Sequence, residues 1–117
     1  MAGYVAISGI LTGTPTGTQL IGPNTISGNS SNDYQTTAVT LSSGANTITI
    51  PSWAAGVIIQ PNTSNAVALT LKGVTGDTGI AISSTAPTLL SFAASPPSTF
   101  VITAASTLSY TTQITFF

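Results

Sequence analysis

The chain has 117 residues, of which only Asp33, Lys72 and Asp77 carry a formal charge, and it contains no Glu, Arg, His or Cys. A typical soluble domain is about a quarter charged, so the groups that usually run acid–base chemistry, hold phosphate or ligate metals are nearly all missing. The length suits one domain with a single core, and catalysis, a cofactor, a metal and nucleic-acid binding are not expected.

In chain order, residues 1–26 read as an N-terminal arm or as the first strands. The Gly/Ser/Asn-rich segment Ser27–Asp33 follows and divides this arm from a sandwich domain at 27–117. A long surface loop inside one domain is the other reading of that segment. Tyr34–Leu41 places Val39 and Leu41 on one side of a strand. Asn46–Ile50 places Ile48 and Ile50 on one face and Thr47 and Thr49 on the other. Gly56–Gln60 is continuously apolar and suits a central strand covered on both sides. Ala66–Leu71 turns Val67, Leu69 and Leu71 inward, and Gly79–Ser83 pairs Ile80 with Ile82. Thr99–Thr103 is a second central-strand candidate. Thr107–Phe117 alternates Leu108, Tyr110, Thr112, Ile114 and Phe116. This two-residue period marks sheets with one buried face.

Gly, Pro, Asn and Asp punctuate these runs, as in Gly22-Pro23, Pro61–Asn65, Gly73–Gly79 and Pro96-Pro97. Each fixes a turn by its own means: positive φ, a locked φ or a side-chain cap. Strands and turns recur every 8 to 12 residues or so, the rhythm of a sandwich or barrel. No amphipathic helix is expected, because Thr, Ser, Gly and Val are poor helix formers. The start of the chain lacks a basic region and a signal-length apolar run. No apolar run approaches the ~18 to 20 residues of a membrane helix.

Lys72 and Asp77 bracket a Gly-rich turn and read either as an ion pair or, more simply, as the flanks of a hairpin. Asp77-Thr78-Gly79 matches the aspartic-protease triplet, but Asp33 lies in Asn-Asp-Tyr, so the matched second acid that a proton-sharing dyad needs is missing. A calcium site around Asp33 or Asp77 would have one carboxylate where several are usual. Asn29-Ser30-Ser31 and Asn62-Thr63-Ser64 match the glycosylation sequon, as chance allows in a chain this rich in Ser and Thr. Phe92, Phe100 and Phe116 fall in apolar runs and read as core. If the chain ends in a strand, one of Phe116 and Phe117 faces the core, and its neighbour either faces outward as a contact for another subunit or is covered by a loop. Tyr4, Trp53, Phe116 and Phe117 are the candidate interface residues, since exposed aromatics favour contacts with partners; Trp53, between two strands, reads equally as a cap on the end of the sandwich.

Three function classes remain: a structural component of an assembly, a carbohydrate-binding or adhesive surface module, and an ice-binding protein. The last needs Thr-x-Thr units at a fixed period, and Thr12–Thr18 and Thr47–Thr49 do not recur that way. Near-zero net charge leaves little repulsion between copies, so association is expected.

The segment Gly56–Phe92, GVIIQPNTSNAVALTLKGVTGDTGIAISSTAPTLLSF, resembles small virion proteins of tailed bacteriophages. It shares with them an apolar strand, a short polar hairpin, a Thr-Leu-Lys-Gly strand end, a Gly-Asp-Thr-Gly turn and a Pro-Thr strand opening. The resemblance implies a single antiparallel β-sandwich, jelly-roll-like, that decorates or cements a capsid. A neck or tail structural protein is a further alternative. The implied partners are the major capsid protein or other virion subunits and copies of the chain itself. Trimers are common among such cement proteins. The implied location is the virion, assembled in the host cytoplasm. Residues 1–26 and Gln113–Phe117 are expected to carry the contacts.

Overall fold

The computed structural model describes residues 5–11, 24–31 and 34–117. Among these the structure is all-β, with ten strands and no helix. The first two, β1 (Val5–Leu11) and β2 (Asn24–Ser31), form an antiparallel pair of their own with a bulge between Ala6 and Ser8. The remaining eight are β3 (Gln35–Val39), β4 (Gly44–Thr49), β5 (Gly56–Gln60), β6 (Leu69–Lys72), β7 (Ile80–Ile82), β8 (Thr88–Ser91), β9 (Thr99–Ala104) and β10 (Thr112–Phe116). They build two four-stranded antiparallel sheets in the orders β3-β10-β5-β8 and β4-β9-β6-β7.

The connectivity is that of a jelly roll. The pairs β6–β7, β5–β8, β4–β9 and β3–β10 are nested, like one long hairpin folded over on itself. Two further pairings, β10–β5 and β6–β9, close each sheet across the roll. Every connection between β3 and β10 passes from one sheet to the other except β6–β7, the tip of the folded hairpin. An eight-stranded double sheet of this kind limits exposed sheet edges.

The core lies between the sheets. Val57, Ile59, Ile114 and Phe116 of one sheet meet Leu69, Phe100, Ile102 and Ala104 of the other, and Leu41 and Leu108 seal one end. Full burial of side chains such as Ile59, Leu69 and Ile102 stabilises by about 1.5–3 kcal/mol each. Phe100 and Phe116 join the sheets edge to face at 6.3 Å between ring centroids, an arrangement worth roughly 0.5–1.5 kcal/mol beyond area burial.

The inward faces read from the two-residue period hold for Val39, Ile48, Ile50, Val67, Leu69, Leu71, Ile114 and Phe116, all buried or partly buried in this core. The two continuously apolar runs are central strands, with β5 between β10 and β8, and β9 between β4 and β6. Their outward residues are covered too. Val101 is 3% exposed on the outer face between Thr47 and Lys72, and Ile58 is half-buried beside Leu89.

Other expectations are corrected. Ser27–Ser31 belongs to β2 and is not a loop. The β2 backbone passes beside β5 and β8. Residues 107–111 are not strand, and β10 begins at Thr112. Ile80 and Ile82 share a face as expected, opposite Leu71 and Leu69, and Ile80, at the start of β7, is 70% exposed.

Candidate functional site

The tip of the folded hairpin gathers two of the three charges. The Asp77 carboxylate accepts hydrogen bonds from the Gly73 and Val74 N–H groups, at 3.1 and 3.0 Å. The Val74 carbonyl accepts one from the Asp77 N–H at 3.1 Å. The acid therefore closes its own turn, as Asp and Asn side chains do elsewhere. Gly79 leaves the turn at φ +79°, and a Cβ there would lie 2.6 Å from the Leu71 carbonyl oxygen, so only glycine fits. Lys72 shares an outer face with Val101, and its aliphatic stem can cover that neighbour. Asn62 is likewise a turn residue, accepting from the Ser64 N–H at 2.8 Å.

Beside this turn, at the same end of the sandwich, the two sheets part over a cleft of ≈ 590 Å³. Its walls are mainly Ile50, Leu71, Ile80, Leu90, Phe92 and Phe100. A pocket of this size and apolarity falls in the range of ligand sites. Polar groups at it are few, with Lys72, Asp77 and Thr78 near the turn. A sugar needs many hydrogen-bonding partners, so this lining suits apolar contact better. The cleft itself had no signature in the sequence, because it depends on where the sheets end relative to one another.

Trp53 stands at the same end, in a turn closed by a bond from the Ala54 N–H to the Pro51 carbonyl (3.0 Å), and is 37% exposed. Val74, on the hairpin tip, and Ile80, on the cleft wall, are also exposed at this end. Tyr4 lies outside the described residues. Phe116 and Phe117 are both buried, at 4% and 0% exposure, so neither faces outward. The Phe117 ring fits over Gly56, where a Cβ would come within 2.4 Å of it. The Phe117 carbonyl oxygen accepts from the Gly56 N–H at 3.0 Å and from the Ala55 N–H at 2.6 Å. Gln113–Phe117 thus runs through a central strand, with Ile114, Phe116 and Phe117 in the core.

A second feature lies along one flank. Strands β3 and β4 are edges of the two sheets on the same side, and a groove of ≈ 260 Å³ runs between them. Val39, Ile48, Ile114 and Phe116 contribute its apolar wall, and Gln35, Thr37, Thr47 and Thr49 its polar one. Neither edge strand contains a charge or a proline, and neither pairing is interrupted by a bulge. Of the other two edges, β7 has only three residues and β8 has β2 beside it.

No family model, curated protein sequence or solved structure matches this chain.

Proposed function

We propose that the chain is a structural subunit of a virion, a decoration or cement protein that docks on the capsid shell through protein–protein contacts. The observation that carries the reading is the largely apolar cleft at one end of the jelly roll, with Ile80 exposed on its wall and Trp53 and Val74 exposed on connections at the same end. Exposed apolar surface of this kind marks interaction sites, and interfaces gain from aromatic anchors. The jelly roll recurs among viral capsid proteins, lectins and cupins, so the fold alone is an analogy and does not choose among them. The likeness of residues 56–92 to tailed-phage virion proteins favours the first. On this reading the partners are shell subunits and further copies of the chain, chemistry is absent, and the site of action is the virion.

Co-sedimentation with particles assembled from the shell protein of the same virus tests the proposal. The chain is expected to pellet with the particles. The variant Val74→Ser/Ile80→Ser, which changes only exposed side chains, is expected to bind about tenfold or more weakly, as loss of interface anchors does. Absence of binding by the unaltered chain, or equal binding by the variant, counts against it. Capture of a monomeric chain by an immobilised glycan would point to the adhesive module instead.

A further inference from the structure

We propose that β3 is a self-pairing edge, and that two copies of the chain join antiparallel along it to make one continuous eight-stranded sheet. The inference rests on the reading of the chain as an assembly subunit and specifies the surface by which it meets itself.

An open edge strand offers a row of unpaired N–H and C=O groups. Natural proteins guard such edges with lysine, proline, bulges, shortness or a covering segment. Among the described residues, β3 has none of these guards. It is five residues long, QTTAV, four of them exposed, and pairs in unbroken register with β10 on one side only. The short β7 and the β8 edge beside β2 are guarded by comparison. β4 is as free of charge as β3, but the Asn46 side chain near its start is already committed to the carbonyls of Ser42, Gly44 and Ile102.

The occupant is set by the sequence of β3 itself. In an antiparallel two-fold pair centred on Thr37, Gln35 faces Val39, Thr36 faces Ala38, and Thr37 faces Thr37 of the second copy. Thr–Thr pairs are favourable across strands, and no position sets like charges opposite each other. A two-fold interface requires this kind of self-complementarity. With a formal net charge of −1, the two copies also repel each other little.

The register makes the test specific. Thr36 and Ala38 occupy the outer face, where Thr36 exchanges a hydroxyl hydrogen bond with Thr115 and Ala38 is exposed beside Gln113. Thr36→Lys/Ala38→Lys places two like-charge pairs across the two-fold axis. Thr36→Asp/Ala38→Lys places two opposite-charge pairs at the same positions and loses the same Thr115 contact. Light scattering after size exclusion is expected to show twice the chain mass for the unaltered chain and for the Asp/Lys variant. The Lys/Lys variant is expected to dissociate, its dissociation constant higher than that of the Asp/Lys variant by roughly tenfold or more. Circular dichroism melting of the monomeric variant confirms that the fold survives. A monomeric or trimeric unaltered chain, or equal behaviour of the two variants, overturns β3 pairing. Such a result leaves particle docking to be decided by sedimentation, so the two readings fail separately.

Discussion

At the scale of single residues, polarity inside this molecule is spent almost entirely on turns. Asn65 is buried, and its side chain donates to the carbonyls of Val67 and Ser84 at 3.1 and 2.8 Å and accepts from the Val67 N–H. It ties the β5–β6 connection to the β7–β8 connection. Asn46 does similar work, reaching from the start of β4 to the Ile102 carbonyl on β9. Thr112 is the exception. Its side chain is fully buried, and its hydroxyl has no hydrogen-bond partner. A buried unsatisfied hydroxyl costs about 1–3 kcal/mol. Thr112→Val keeps the shape and the β-branching while removing the polar atom. The variant is expected to be more stable by about 1 kcal/mol, raising the melting temperature by roughly 4 °C. An unchanged or lower melting temperature would mean that the hydroxyl is satisfied, for instance by a trapped water.

At the scale of elements, much of the roll was legible in the chain because β-structure writes a local signal. The alternation in Asn46–Ile50 and Ala66–Leu71 gave the inward faces, and Gly73–Gly79 announced the hairpin tip. β8 was harder to see. Thr88–Ser91 has two adjacent leucines, one turned to the core and one outward, so the period is hidden. The burial of both terminal phenylalanines was also out of reach, because it depends on Gly56, sixty-one positions away, presenting no side chain. The edges β3 and β4 and the cleft arise from strand order, which no local pattern encodes. The same strand order separates the two ends of the chain in their importance to folding. β10 pairs on both sides and buries Ile114, Phe116 and Phe117, whereas β1 and β2 pair only with each other. Removal of residues 113–117 is therefore expected to abolish the cooperative melt. A chain beginning at Tyr34 is expected to keep it, with a lower midpoint because the neighbourhood of β2 on β5 and β8 is lost. The measurement is thermal denaturation followed by circular dichroism. A folded 113–117 deletion, or an unfolded chain from Tyr34, would show that the sandwich is organised differently.

At the scale of the whole molecule, the scarcity of charge becomes a statement about how any association must respond to solvent. An interface built from Lys and carboxylate pairs weakens as salt rises, since the screening length falls from about 10 Å at 0.1 M to about 3 Å at 1 M. This chain has one cation and two anions in total, and Lys72 and Asp77 are placed at the hairpin tip. Its contacts must come from apolar burial and neutral backbone pairing. Salts excluded from protein surfaces strengthen such burial, and urea weakens it by solvating both apolar and peptide groups. Association, with itself or with particles, is thus expected to persist or tighten in molar sulfate and to be lost in urea. It is also expected to vary little between about pH 5 and 7, because the chain has no His, the side chain whose charge ordinarily changes there. Sedimentation equilibrium across salt, urea and pH measures all three. A steep loss of association with salt would require charged groups on the partner to act on the few charges here, and would rule out neutral burial as the driving force.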